Sequence, residues 1–299
     1  MRAPGETKRG VIAMILGGAL FVINDAFVKL ATQTMPLGEL LVVRGVFAIA
    51  CVMAVMVAMG DFKRIKAAAK PVVMLRAGFE FLVSLFYVTA ISQLPIGDLT
   101  TIMQATPIIM TILCAVLRIE IVSLTRWLAV LIGFAGVLLI AQPGGSNFTV
   151  FTFAALASAT FVALRDLVTR RISGEVPPTV VILTTTVFAS CGGVLLGLSE
   201  TWHQPSRYEF SLLISAAVLV SIANALMVIA YRCADISILS PLRYLVVVWA
   251  AGMGFMVFGE IPGLMGALGA LLIVGSGLYT GYGERRRSRR LRAETQTSL

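Results

Sequence analysis

Apolar stretches of about 17 to 25 residues, each long enough to cross a bilayer as a helix, recur ten times along this chain with little between them. They fall at 11–31, 37–59, 71–92, 97–117, 124–141, 149–168, 178–198, 211–231, 237–258 and 262–282. The connections carry the helix breakers: Met35-Pro36, Leu94-Pro95-Ile96-Gly97, Gln142-Pro143-Gly144-Gly145, Pro177-Pro178 and Ile261-Pro262-Gly263. Loops this short leave no room for a soluble domain. Only 13% of the 299 residues are charged and 58% are hydrophobic, against about 25% charged in a soluble domain. The apolar excess must face lipid, so the expected class is an all-α integral membrane protein with ten transmembrane helices.

The basic residues alternate with the spans. One side collects Arg2, Lys8, Arg9, Lys63, Arg64, Lys66, Lys70, Arg76, Arg118, Arg126, Arg165, Arg170, Arg171, Arg232 and the arginine-rich tail. The other has Lys29, at a helix end, and Arg207. The positive-inside rule then predicts cytoplasmic N- and C-termini in a multi-pass protein of the cell inner (plasma) membrane. An even number of spans requires the same agreement. The net charge of +9 reads as topogenic charge that also attracts anionic membrane lipid. Without aromatics interleaved on a basic face, it does not predict a nucleic-acid partner.

Cys51, Cys114, Cys191 and Cys233 are scattered, and the one histidine, His203, lies in a polar loop. No metal-ligand spacing or disulfide framework follows, and neither a metal nor a cofactor is expected. His203 reads as a solvated loop residue. The apolar run after Arg9 lacks a small-residue cleavage site and reads as a retained first helix.

Sliding the chain on itself by about 140 positions gives a register that holds across a whole half. Ala19-Leu20-Phe21-Val22 lies over Ala159-Thr160-Phe161-Val162, Ala90 over Ala230 and Glu120 over Glu260. With one residue of slip, Pro36 meets Pro177 and Gly136 meets Gly277. Each half holds five spans, so the second copy enters the membrane from the opposite side. The prediction is two inverted five-helix repeats, residues 1–145 and 146–283, followed by a basic tail at 284–299. Inverted repeats are the architecture of secondary transporters, with the substrate site near the midplane between them.

One stretch runs from Ala90 through Pro95, Gly97, Asp98 and Ile102 to Pro107, then to Glu120, Arg126-Trp127, Gly133 and Gly136. The second half echoes it in Ser240-Pro241, Gly259-Glu260 and the glycines of the last span. With these motifs the whole chain resembles the drug/metabolite transporter superfamily of the EamA type. That resemblance implies a proton-coupled or exchange carrier of the bacterial inner membrane, its cavity lined by the first four helices of each half. The segment Asn24-Asp25-Ala26-Phe27-Val28-Lys29 is similar to members assigned to riboflavin or S-adenosylmethionine uptake.

Ionisable residues inside spans cost about 2.5–3.5 kcal/mol each on insertion scales and mark function by default. Asp25 and Lys29 sit on one face of the first span and either neutralise each other or let Lys29 snorkel to the interface. Arg44 lies in the second span with Glu39 at its mouth, Glu80 is in mid-span, and Arg243 with Tyr244 lies in the ninth. Arg44 and Arg243 suit a carboxylate or phosphate, while Asp25 or Glu80 suits an ammonium. The candidate substrate-binding set is Asn24, Asp25, Arg44, Glu80, Tyr87, Gln104, Arg243, Tyr244 and Trp249, with Thr101, Asn224 and Tyr231 as further polar neighbours. Glu80 and then Asp25 are the candidate proton carriers.

The expected function is secondary active transport of a small polar metabolite, zwitterionic or aromatic, by alternating access. Pro107 and Pro241 are placed where bends can gate. A membrane-embedded enzyme would need a nucleophile–base pair or metal ligands, and a channel would favour rings built by oligomerisation. The GxxxG spacings Gly193/Gly197 and Gly277/Gly281 read as helix packing in a monomer, with a homodimer as the alternative.

Overall fold

Helices account for every regular element in the computed structural model, which describes residues 4–119, 124–141, 149–173, 175–234, 239, 242–261 and 263–279. The order is α1 (Pro4–Ala31), α2 (Leu37–Ala58), a 3-10 segment (Asp61–Ala69), α3 (Pro71–Ile91), α4 (Ile96–Met103) and α5 (Thr106–Val116). There follow α6 (Leu124–Ala141), α7 (Val150–Thr169), α8 (Pro178–Gly197), α9 (Arg207–Cys233), α10 (Leu245–Phe258) and α11 (Leu264–Tyr279). Among the described residues seven helical spans are long and apolar enough to cross a membrane, counting α4 and α5 as one, and α6, α10 and α11 supply three shorter apolar helices. Each of the ten expected spans thus contains a helix among the described residues. Glu120, Ser240, Pro241 with its expected gating bend, Gly281, the repeat boundary at 145/146 and the tail at 284–299 lie outside the described residues, as do the side chains of Arg126 and Tyr231.

Proline sets the starts. Pro71 and Pro178 occupy the first turns of α3 and α8, where the missing N–H has no intrahelical acceptor to lose. The start of α9 uses a capping box instead, with Ser206 and Glu209 bonded reciprocally to each other's backbone N–H.

The fourth span, expected to bend at Pro107, is interrupted. It breaks between α4 and α5 at Gln104 and Ala105 because Pro107 cannot donate to the Met103 carbonyl and its ring crowds that position. The Thr106 hydroxyl takes up the freed Met103 carbonyl at 2.6 Å. The corresponding span of the second half turns at Arg243 and Tyr244 immediately before α10.

Packing follows the repeat. At an offset of 140 positions α1 corresponds to α7, α3 to α9, and α2 to α8. The α1–α9 and α3–α7 interfaces, two of the most extensive, are then one interface seen twice. The α2–α8 contact pairs an element with its own counterpart, and α4 packs on α10, the counterpart of α5. The fold is two inverted five-helix repeats that pack mainly on each other. Its outward face is apolar: Val57, Leu131, Leu195 and Leu271 are 61–69% exposed, as a lipid-facing surface requires.

The α2–α8 crossing is close at the end away from the basic 61–70 segment. A Cβ on Gly38 would stand 2.6 Å from the Gly193 carbonyl and 2.5 Å from the Gly197 nitrogen. The Gly193/Gly197 spacing thus serves packing within the chain. Gly277 accommodates the Tyr244 ring, whose hydroxyl would lie 1.7 Å from an added Cβ.

Candidate functional site

In α1 the small and branched residues Val22, Ala26 and Val28 are buried, with Val22 and Ala26 packed against Ile96 and Ala250 of α4 and α10. The same registration carries Asn24, 3% exposed, and Asp25 into the protein. The carboxylate of Asp25 is held on both oxygens. The Tyr87 hydroxyl, from α3, donates to Oδ2 at 2.7 Å, and Asn24 Nδ2 donates to Oδ1 at 3.0 Å. Arg44, from α2, reaches Asn24 Oδ1 with Nη2 at 3.5 Å. Three helices of the first repeat therefore assemble an acid, a base, an amide and a phenol inside the membrane-spanning bundle. The amide of Asn24 stands between the two charges.

Lys29 neither pairs with Asp25 nor snorkels. Its Nζ is bonded to Glu260, donates to the Leu94 carbonyl, and lies 4.8 Å from the Phe258 ring centroid. The other carboxylate oxygen of Glu260 accepts from the Ile96 N–H at 2.9 Å. This pair joins α1 and the α3–α4 turn to the end of α10, where Gly259 takes a left-handed φ of 65° to turn the chain back. Glu260 enters the sequence reading only as a marker of the repeat, although a carboxylate at a span end opposite an orphan lysine is the signal that could have found it.

Glu80 also sits elsewhere. Its Oε2 accepts from Arg165 Nη1 of α7 at 3.0 Å, and Arg165 Nη2 lies 2.7 Å from Asp166 Oδ1. Arg76, from α3, donates to Thr169 Oγ1 at 3.0 Å. Two cations and two anions thus form a balanced cluster on the α3–α7 seam, apart from Asp25. Arg165 lies inside the expected sixth span, and counting it there rather than as a flanking charge would have supplied Glu80 with its partner.

The remaining candidates divide. Gln104 Nε2 lies 3.4 Å from the Arg243 carbonyl, so the two interrupted spans meet at their breaks. Unwound segments facing each other across the repeat interface are where transporters place substrate and coupling ions. Arg243 is exposed and Tyr244 packs on Gly277. Trp249, in α10, is 43% exposed. Thr101 and Asn224 bond to carbonyls of their own helices.

The comparisons with known proteins agree with this architecture. The model of the EamA-like transporter family matches residues 8–142 and 150–281, one copy on each half. The chain belongs to the EamA-like transporter family. Relatives include the riboflavin transporter of Vibrio cholerae, 28% identical over 66% of each chain. The pseudopaline exporter CntI of Pseudomonas aeruginosa is 24% identical over 89% of this chain and 94% of its own. The S-adenosylmethionine uptake transporter of Rickettsia prowazekii is 21% identical over 64% of this chain and 65% of its own. The match with the riboflavin transporter thus spans just under two thirds of that protein's length. A solved crystal structure superposes with a TM-score of 0.63 at 21% identity, covering 92% of this chain and 98% of that one, a likeness of fold alone. This member of the EamA-like family is a multi-pass membrane transporter.

Proposed function

We propose that this EamA-like protein is a secondary transporter that moves a small polar metabolite bearing both an ammonium and an acidic group. It works by alternating access in a bacterial inner membrane, with both termini cytoplasmic. The observation that carries this reading is the Asp25–Asn24–Arg44 arrangement. Acid and base are held together, half-buried, in the bundle, yet the contact that Arg44 makes is to the Asn24 amide. Each charge keeps capacity for a second partner, and a zwitterion supplies both. Tyr87 fixes the carboxylate on α3, so a bound cargo touches three helices of the repeat at once.

The relatives named for riboflavin, S-adenosylmethionine and pseudopaline widen the cargo panel without choosing among its members. Asp25 suits the exchange of a proton for cargo better than Glu80, because Glu80 already has Arg165 as a fixed partner. A carrier fits better than an enzyme: Asn24, Asp25, Arg44 and Tyr87 include neither a serine or cysteine nucleophile nor a histidine base.

The test is flux into proteoliposomes under an imposed pH gradient, with amino acids, riboflavin, S-adenosylmethionine and a lipophilic cation as cargo. Saturable flux of one zwitterionic compound, lost in Asp25→Asn and in Arg44→Ala, is the expected result. Saturable flux unchanged in both variants would remove the site, and saturable flux of the lipophilic cation alone would remove the cargo class.

A further inference from the structure

At the end away from the 61–70 segment, His203 lies between two buried carboxylates from different repeats. Its Nδ1 is 3.4 Å from Glu39 Oε2, in the first turn of α2, and its Nε2 is 3.4 Å from Glu209 Oε1, in the first turn of α9. The side chain of Glu39 is 1% exposed and that of Glu209 5%, while the imidazole is 44% exposed. The His203 backbone N–H also points at Glu39 Oε2, at 3.3 Å, and Glu39 Oε1 is buried without a hydrogen-bond partner.

Proton counting makes this more than a loop contact. A neutral imidazole carries one N–H and one lone pair, so it can donate to only one of the two carboxylates. The other contact would set a lone pair against a carboxylate oxygen. Both contacts become favourable when the imidazole holds one further proton and donates on both sides. Glu39 adds to the demand, since a buried carboxylate with an unpartnered oxygen is costly unless a cation or a proton meets it.

Other groups do not supply that cation. Glu200, from the α8–α9 loop, adds a third carboxylate and accepts from the Gly38 N–H at 2.9 Å. Glu209 takes its remaining bonds from Ser206 and Thr34, both uncharged. Arg207, in the first turn of α9, is exposed. Lys29, the ionisable group of α1 at this end, is engaged by Glu260, and α8 contains no Asp, Glu, Lys, Arg or His.

The opposite end provides a contrast. Thr179 stands 140 positions after Glu39 and opens α8 as Glu39 opens α2. Its hydroxyl donates to Asp61 Oδ2 at 2.7 Å, so that end is fastened to the α2–α3 connection by a neutral donor that needs no added proton. The two repeats share the position of the fastening and differ in its chemistry.

We propose that His203, between Glu39 and Glu209, is a proton-binding site distinct from the cargo site, and that binding the proton fastens the α8–α9 loop to the start of α2. Its consequence for transport rests on the alternating-access reading. Acid on this side stabilises the state closed at this end, and loss of the proton loosens it.

The test reads the fastening directly and needs no cargo. Nitroxide labels are placed on Gln33→Cys and Thr201→Cys, both exposed positions, in a background with the four native cysteines replaced. Distance distributions are recorded in nanodiscs at about pH 5.5 and about pH 8, which span the range where imidazole changes charge. The short-distance population is expected to grow at the lower pH in the otherwise native chain. His203→Gln is expected to lose that response, and His203→Lys, with a fixed positive charge, to stay short at both. A response that persists in His203→Gln would overturn the proposal, as would a native distribution that does not change with pH. Because flux is not measured, failure here leaves the transporter reading intact, and failure of that reading leaves the proton site intact.

Discussion

Lys29 of α1 is paired with Glu260, 231 positions away, in the turn between α10 and α11. The lysine side chain is 8% exposed and the carboxylate 20%. The pair therefore sits largely out of water, and each oxygen of Glu260 has its own donor. It connects α1 of the first repeat to the end of α10 in the second. Any motion that opens this end must break it or carry both partners together.

Glu260→Gln removes the carboxylate bonded to a largely buried ammonium and leaves it the Leu94 carbonyl, the Phe258 ring and the field of Asp98. Removing one partner of a buried pair costs about 3–5 kcal/mol. The thermal midpoint in detergent is expected to fall by about 5–10 °C. The double variant Lys29→Met/Glu260→Met should recover most of that loss, since an apolar pair of similar volume avoids the unpaired charge. A double variant as unstable as Glu260→Gln would mean that the backbone contacts of Glu260, not the ion pair, hold the turn.

Tyr87→Phe removes one hydrogen bond from Asp25 and leaves the ring in place. A hydrogen bond to a charged group is worth about 1.5–3 kcal/mol. The half-saturation concentration for cargo is expected to rise about tenfold or more, and the thermal midpoint to fall by a few degrees. Asp25→Asn should abolish saturable flux. Unaltered half-saturation in Tyr87→Phe would place Asp25 outside the binding step.

What was legible in the sequence followed from quantities that depend on order along the chain. Span length and breaker position locate the helices, and the 140-residue register with its odd number of spans per half gives the inversion. Partner choice was not legible, because it depends on helix rotation and packing. Asp25 and Lys29 share a face by spacing, yet they reach different neighbours: Asp25 meets α3 through Tyr87, and Lys29 meets the turn after α10. Glu80 reads as a mid-span charge and Arg165 as a flanking one, and only the α3–α7 interface makes them a pair. The break at Gln104 was foreshadowed by Pro107, whereas its meeting with the Arg243 carbonyl needed the second repeat in place. His203 reads as a solvated loop residue because Glu39, one of the two buried carboxylates flanking it, lies 164 positions away in the first turn of α2.

Glu80→Gln separates a structural role from a coupling role. The cluster of Arg76, Glu80, Arg165 and Asp166 balances two positive against two negative charges on the α3–α7 seam. Removing one anion leaves Arg165 with Asp166 alone. The expected outcome is a lower thermal midpoint, by a few degrees, with the dependence of flux on the pH gradient retained. Loss of that dependence in a variant of native stability would return Glu80 to the proton path.

Gly38→Ala tests the α2–α8 crossing. The added Cβ would sit 2.5–2.7 Å from the Gly197 nitrogen, the Gly193 carbonyl and Glu200 Oε2. Two of those atoms are backbone and cannot step aside by a rotamer change, so the helices themselves must separate. Overpacking of this kind costs about 1–3 kcal/mol. It should also pull Glu200 away from the Gly38 N–H, which it now accepts at 2.9 Å. The control is Gly78→Ala in α3, where an added Cβ meets nothing within 4 Å and the helix gains about 0.5–1 kcal/mol from replacing glycine. In detergent melts Gly38→Ala is expected to lower the midpoint and Gly78→Ala to hold or raise it. Equal midpoints in the two variants would mean that α2 and α8 do not approach this closely in the membrane.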